Sequence, residues 1–165
     1  MKPTRIACLL AAPMLLAAPR GDAHPAAVQR PGTICPDPAH PCGGFQAHDL
    51  TFVPPRDGIP RDEFRSEPFY AVILRSGARC SIPERERLAV QALFPRRKVF
   101  SHRFFCDEIV ENNITYTNVD ENLAFLAVYA GKTREEAAAF LRSVNAMRRF
   151  PGANLRRMQA VLVYD

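Results

Sequence analysis

The stretch LAVYAGKTREEAAAFLRSV, from Leu126 to Val144, joins a short apolar segment to a helical segment at a glycine. The residues before Gly131 are apolar and few enough for a buried strand. After it, Thr133 can cap a helix, and Glu136, three residues later, can complete a capping box. Apolar residues then recur at the spacing of one buried helical stripe, at Ala137, Phe140, Leu141 and Val144. The stretch therefore predicts a strand that turns directly into a helix.

A second strand and helix precede this stretch. The run FYAVIL, Phe69–Leu74, is apolar and β-prone, and Ser81 with Glu84 offers another capping box. A helix is predicted over about Pro83–Phe94 and is ended by the proline that follows. The other predicted strands lie at Lys98–Phe105, Thr115–Val119, Leu123–Ala130 and from Asn154 onward.

The main elements follow the order β, α, β, β, α, β, as two weak internal repeats. Two βαβ units combined in this way fold most simply as a four-stranded antiparallel sheet with both helices on one face, the ferredoxin-like form. The predicted fold class is therefore α+β, and the other face of the sheet is expected to be free.

Residues 1–23 have the layout of a secretory signal peptide. Lys2 and Arg5 precede an apolar run over residues 6–18, and small residues follow near the expected cleavage points, Ala23 or Ala26. The apolar run is too short to span a membrane. We therefore expect an exported protein, periplasmic or secreted, without a membrane span in the mature chain.

Residues 24–67 are rich in proline, glycine and turn-forming residues, which predicts an irregular arm or linker before a domain at 68–165. Removal of the signal would take away three basic residues and one acidic residue, so the net charge would fall from +5 to +3. Arginines occur in pairs in this chain, but acidic residues lie among the basic residues in other parts of the sequence. This pattern favours a solvated surface, and we expect no nucleic-acid partner.

Four cysteines remain after the predicted cleavage: Cys35, Cys42, Cys80 and Cys106. An even number in an exported chain indicates disulfides, for which three connectivities are possible. A local bridge between Cys35 and Cys42 is favoured because prolines already restrict the short loop between them. In the predicted sheet the first two strands run in the same direction, so Cys80 and Cys106 would lie at the same end and could form a second bridge.

Two groups of residues have side chains suited to chemistry. One is a possible nucleophile and base with neighbouring acids, His102, Cys106, Asp107 and Glu108. On a strand, the histidine and the cysteine would be about 13 Å apart, too far for a direct hydrogen bond. The other group could ligate a metal but lacks a fourth ligand, Cys35, His40 and Cys42. The sequence therefore predicts neither an enzyme nor a cofactor or metal site.

Three stretches resemble the SPOR domain, the sporulation-related repeat that binds septal peptidoglycan. They are YAVILRSG (Tyr70–Gly77), AVYAGKTREEAAAFLRSV (Ala127–Val144) and FPGANLRRM (Phe150–Met158). The resemblance covers about the last 100 residues of the chain and is strongest in the second repeat. It implies a peptidoglycan-binding domain.

The resemblance also implies a binding face, the side of the sheet without helices. Strand alternation assigns five residues to that face, with Ala71 and Ala127 as a shallow floor: Ile73, Arg75, Tyr129, Arg157 and Gln159. A sugar chain needs flat apolar contact with hydrogen-bonding rims, which this mixture supplies. The predicted function is an exported, non-catalytic module that binds cell-wall glycan. The alternative is a disulfide-stabilised scaffold that contacts another exported protein through the sheet face or the Pro-rich arm.

Overall fold

A computed structural model describes residues 30–42, 46–55, 63–102, 106 and 112–164. The predicted signal peptide lies outside these residues. Among these residues two helices are present, α1 (Glu84–Gln91) and α2 (Arg134–Ala146). The strands are β1 (Thr33–Ile34), β2 (Phe52–Val53), β3 (Glu63–Arg65), β4 (Phe69–Ala78), β5 (Val99–Ser101), β6 (Asn112–Tyr116), β7 (Leu123–Gly131), β8 (Asn154–Met158) and β9 (Ala160–Tyr164).

The strands form three sheets. The largest has the order β5-β7-β4-β8, a second has the order β3-β9-β6, and β1 pairs with β2. All of these pairs are antiparallel. The fold is therefore α+β with two helices and antiparallel sheets, as predicted. It differs from the expected single sheet, because sheets of three and two strands accompany the four-stranded one.

The predicted turn from strand to helix is present at the end of β7. Gly131 has φ +130°, and a Cβ at this position would collide with the carboxylate of Glu136. Thr133 is the N-cap of α2, and its Oγ1 accepts a hydrogen bond from the amide of Glu136 at 3.2 Å. The carboxylate of Glu136 accepts from the amide of Lys132 at 3.3 Å. The strand thus ends in a turn that glycine suits, and the reciprocal side-chain bonds begin the helix.

The predicted capping box of the first helix is wrong. Pro83 occupies the N-cap of α1, and no side chain caps this helix. Ser81 lies two residues too early, in a turn that follows Cys80, which has φ +61°. The carboxylate of Glu84 instead accepts hydrogen bonds from Arg87. Proline suits this position because its fixed φ is compatible with helix entry and it has no amide hydrogen to satisfy.

The single strand predicted from Asn154 onward is divided in two. β8 pairs with β4 in the four-stranded sheet, whereas β9 lies between β3 and β6 in the three-stranded sheet. Gln159 is the one residue between the two strands. The chain therefore leaves one sheet and enters the other at this residue, which alternation of polar and apolar residues does not reveal.

The four-stranded sheet is covered on both faces. On one face, α1 and α2 pack through a cluster that includes Val90, Ala137 and Val144. The other face, called the helix-free face below, packs against residues of the two smaller sheets, and the shared cluster includes Phe100 and Phe125. Burying these aromatic rings removes a large apolar surface from water and so stabilises the cover. The expectation of a free face was therefore wrong for most of its area.

Part of this cover comes from the segment predicted to be an arm or linker. Leu50 and Phe52 are fully buried in the cluster on the helix-free face, and Ile34 packs beside them. The backbone amide of Leu50 also donates a hydrogen bond to the hydroxyl of Tyr116 at 3.0 Å. Residues 30–67 thus contribute Ile34, Leu50 and Phe52 to the packed core despite their proline content.

Candidate functional site

One end of the helix-free face carries a cleft of about 440 Å³. It lies between β4, β7 and β8, and the loop that joins β6 to β7 forms its side. The lining combines an apolar floor with polar groups around it, from Ile73, Ser76, Asn118, Val119, Asp120, Leu123, Phe125, Asn154 and Arg156. The cleft is a described part of this face that the smaller sheets leave open to a ligand.

Strand register explains why these side chains meet. Ile73 pairs with Ala127 on β7 and with Asn154 on β8. Ser76 pairs with Phe125. Cross-strand partners point to the same face of a sheet, so all these residues share the helix-free face. Arg156 lies two residues after Asn154 on the same strand and therefore points the same way.

A β-bulge in β4 sends Arg75 to the opposite face. The register shifts between Ile73 and Arg75, so that Arg75 pairs with Leu126, a residue of the cluster packed against the helices. Its guanidinium lies 2.6 Å from the carboxylate of Glu86 on α1. The extra residue changes the alternation of the strand, which places Ser76 rather than Arg75 at the cleft.

The other predicted binding residues are separated from one another. Tyr129 points to the helix-free face but is only 6 % exposed, and burial raises its pKa to about 12. Arg157 pairs with Tyr70, which packs on the helix side. Gln159 lies between strands and donates from Nε2 to the carbonyl of Ser66 at 2.8 Å. Of the five predicted residues, only Ile73, itself 5 % exposed, lines the cleft.

Local hydrogen bonds hold the polar rim of the cleft in place. The Nε of Arg156 donates to Oδ1 of Asn154 at 3.2 Å. Asp120 accepts from the amide of Asn122 at 2.9 Å, and Asn118 donates to the carbonyl of Arg157 at 3.1 Å. Among the described residues, no other hydrogen bond of the Arg156 guanidinium is present. The rim thus presents a cation with spare donors and a carboxylate on a preorganised frame.

The apolar part of the cleft has a buried floor and an exposed side. Ile73 and Phe125 form the floor, while Val119 is half-buried and Leu123 is exposed. An apolar surface surrounded by a few fixed polar groups is the usual composition of a small-ligand site. It suits a sugar ring, which has one apolar face and hydroxyl groups at its edge.

Sequence reasoning missed most of this site. Phe125 lies two residues before Ala127, so strand alternation alone places it on the correct face. To place Asn154 and Arg156 at the cleft, one must know which residues of β8 point to the helix-free face. That depends on the pairing of β8 with β4 and cannot be seen in the sequence of the strand itself. Asn118 and Asp120 come from a loop, for which no periodic signal exists.

The cysteine and histidine considered above as a nucleophile and a base have structural roles. Cys106 is bonded to Cys80, with Cα atoms 5.4 Å apart, and is not a free thiol. His102 stacks on Phe125 with ring centroids 5.7 Å apart, and burial lowers its pKa. Asp107 and Glu108 lie outside the described residues.

The group considered for metal binding is also cross-linked. Cys35 and Cys42 form the second disulfide, with Cα atoms 5.9 Å apart, while His40 Nδ1 lies 3.0 Å from Asp37. Within the described ranges, no group of three or more His, Cys, Asp or Glu side chains is placed to hold a metal ion. Both predicted cysteine pairs are therefore present as disulfides, which is consistent with an exported protein.

In the part of the chain that the structure describes, no helix has both the length and the apolar character needed to cross a membrane. Comparison of the chain with protein-family models, with curated proteins and with solved structures finds no match in any of the three.

Proposed function

We propose that this protein is an exported, non-catalytic binding module that holds cell-wall peptidoglycan in the cleft on its helix-free face. The observation that carries the proposal is the composition of the cleft, an apolar floor of Ile73 and Phe125 inside a fixed polar rim. The compartment is a periplasm or the cell exterior, in agreement with the two disulfides.

The arrangement of the four-stranded sheet supports the same proposal. We infer a ferredoxin-like βαββαβ core within the larger fold, and the inference is supported by the strand order β8-β4-β7-β5 and by the packing of α1 and α2 on one face. We assign this part of the chain, residues 68–165, to a SPOR-like domain on the resemblance of its sequence. The smaller sheets then act as an added cover, which restricts the glycan site to the end of the face that they leave open.

The chemistry of the rim fits an amino-sugar chain. Leu123 and Val119 offer apolar contact for the flat face of a sugar ring. Asn118, Asp120 and Ser76 supply acceptors and donors for hydroxyl and acetamido groups. The spare donors of Arg156 suit a carboxylate, such as the lactyl group of a muramic acid that carries no stem peptide.

Co-sedimentation of residues 24–165 with purified peptidoglycan sacculi tests the proposal. Two adjacent arginines on β8 provide a matched pair, because Arg156 lines the cleft whereas Arg157 points to the helix side. We expect saturable binding that Arg156→Ala weakens by about tenfold, the loss of one charge-assisted hydrogen bond, and that Arg157→Ala leaves unchanged. Absence of sedimentation by the disulfide-intact protein, or equal effects of the two variants, would contradict the proposal.

The alternative, a scaffold for an exported protein partner, receives less support from the packing. Its two candidate surfaces were the free sheet face and the Pro-rich arm. Residues of the arm, including Leu50 and Phe52, are buried against that face. A partner recovered by cross-linking, together with failure to bind sacculi, would favour this alternative.

A further inference from the structure

A second cavity, of about 470 Å³, lies between the loop closed by the Cys35–Cys42 disulfide and helix α1. Its lining includes Arg87 and Leu88 from the helix and Lys98 from the segment before β5. Pro38 and Pro41 contribute apolar surface from the disulfide loop. The cavity thus combines two basic residues with apolar surroundings, and no residue of the cleft on the helix-free face takes part in it.

The ammonium group of Lys98 is incompletely satisfied. The residue is 7 % exposed, and its Nζ donates to the carbonyl of Ala47 at 2.8 Å. No carboxylate among the described residues forms an ion pair with it. An ammonium group has three N–H donors, so two remain for another acceptor. Burying a cation with so few partners costs free energy, which a bound anion would offset.

Arg87 adds positive charge to the cavity, and three of its five N–H donors are already bonded within the protein. The residue is 4 % exposed; its Nε and Nη2 donate to Glu84, and its Nη1 donates to the carbonyl of Val99 at 3.2 Å. Burial lowers the pKa of Lys98, and the charge of Arg87 lowers it further. The carboxylates of Asp49 and Glu84 act in the opposite direction on the pKa of Lys98. The effect of Asp49 is partial, because burial raises the pKa of its own carboxyl to about 7.

We propose that this cavity binds a small apolar molecule through its carboxylate group, with Lys98 as the donor. A carboxylate fits better than a phosphate, because its single charge matches the ammonium group of Lys98, whereas a phosphate group carries nearly two charges and Arg87 is already paired with Glu84. The apolar surfaces of Pro38, Pro41 and Leu88 require an apolar body beside the charged group. This site is independent of glycan binding, and its test does not use sacculi.

The test uses N-acetyl-leucine as the probe and its amide, N-acetyl-leucinamide, as the uncharged control. Binding to the disulfide-intact chain is followed by amide chemical shifts in nuclear magnetic resonance spectra. We expect saturable shifts around Leu88 and Lys98 with the acid and weaker ones with the amide. Lys98→Met should reduce affinity by about tenfold or more, the loss of a charge-assisted hydrogen bond. Lys132→Met is the control, since that lysine is exposed and pairs with Glu67.

A second pair of variants avoids any change in the buried residues. Leu88 lines the cavity and is 54 % exposed, so substitutions there are compatible with folding. Leu88→Glu places a negative charge at the site and should weaken binding of the acid relative to the neutral variant Leu88→Gln. No saturable binding at millimolar concentration, equal affinity for acid and amide, or equal affinity in the two Leu88 variants would overturn the proposal.

Discussion

Ser66 and Ala160 form a reciprocal pair of hydrogen bonds at the end of the β3–β9 ladder, where the chain passes between the two larger sheets. The amide of Ser66 donates to the carbonyl of Ala160 at 2.8 Å, and the amide of Ala160 donates to the Oγ of Ser66 at 2.9 Å. Both residues are fully buried. Ser66 lies between β3 and β4, and Ala160 is the first residue of β9, so this pair fixes the point where the chain changes sheets.

Ser66→Ala should therefore destabilise the protein well beyond a surface substitution. The change leaves the buried amide of Ala160 without its acceptor, which costs about 1–3 kcal/mol. Urea denaturation measures the free energy of unfolding. Ser143→Ala is the control, since its exposed hydroxyl bonds to the carbonyl of Phe140 within one helix. Equal stability of the two variants would show that the Ser66 hydroxyl does not stabilise the point where the chain changes sheets.

Removing a hydroxyl group near the start of α1 should affect stability differently from removing one at the start of α2. Thr133→Ala removes the side-chain cap of α2 and should cost about 1 kcal/mol of stability. Ser81→Ala should be neutral or slightly stabilising, because the Ser81 Oγ is buried and has no hydrogen-bond partner among the described residues. Thermal unfolding of both variants is the measurement. A loss at Ser81 as large as that at Thr133 would mean that Ser81 does cap the first helix.

Substitution of Tyr129 should affect stability rather than a binding surface. Its ring packs beside Phe69, with centroids 6.0 Å apart, in the cluster on the helix-free face. Tyr129→Ala should cost about 3–5 kcal/mol because it leaves a cavity, whereas Tyr129→Phe should cost less than about 1.5 kcal/mol. Urea unfolding distinguishes the two. A stable Tyr129→Ala variant that no longer binds sacculi would instead support the face originally predicted.

Asp49 should make the protein less stable as the pH rises toward neutral. Burial raises the pKa of this carboxyl from its ordinary value of 3.8 to about 7. The folded state therefore binds the proton more tightly than the unfolded state. The free energy of unfolding should fall between about pH 4 and pH 7, by at most about 1.4 kcal/mol per pH unit, and this contribution should then stay constant.

Asp49→Asn removes this titration and can still accept the hydrogen bond from the amide of Gln46. The measurement is the difference in unfolding free energy between the wild type and this variant across the pH range. Asp37→Asn is the comparison, because a hydrogen bond to His40 lowers the pKa of that exposed carboxyl and reverses the sign. A pH-independent difference for Asp49→Asn would contradict the prediction.

Some local features of the chain could be predicted from the sequence, although the start of α1 could not. The side of the sheet to which each strand residue points was harder to predict. Gly131, Thr133 and Glu136 act within a few residues of one another, so their spacing alone predicts the turn and the cap. The cysteine pairs were likewise predictable, from a short loop in one case and from strand direction in the other. These features depend on sequence neighbours or on the order of elements.

The candidate site depends on longer-range pairing. The β-bulge near Leu74 adds one residue to β4, so that Ser76 rather than Arg75 faces the cleft. The bulge can be recognised only from the register of β4 with β7. The side on which Arg156 and Arg157 lie follows from pairing with β4. The buried arm could not be inferred from its prolines, because Leu50 and Phe52 are stabilised by a surface that other strands build.

The division of the C-terminal strands at Gln159 has a consequence for biosynthesis. β8 forms an edge of one sheet and β9 the centre of the other, so both sheets need residues 154–164 for their native pairing. Until residue 164 has been translated, β3 and β6 have no strand between them and β4 lacks one neighbour. Such long-range pairing delays folding. The two larger sheets therefore cannot both complete their native pairing before residue 164 is available to them.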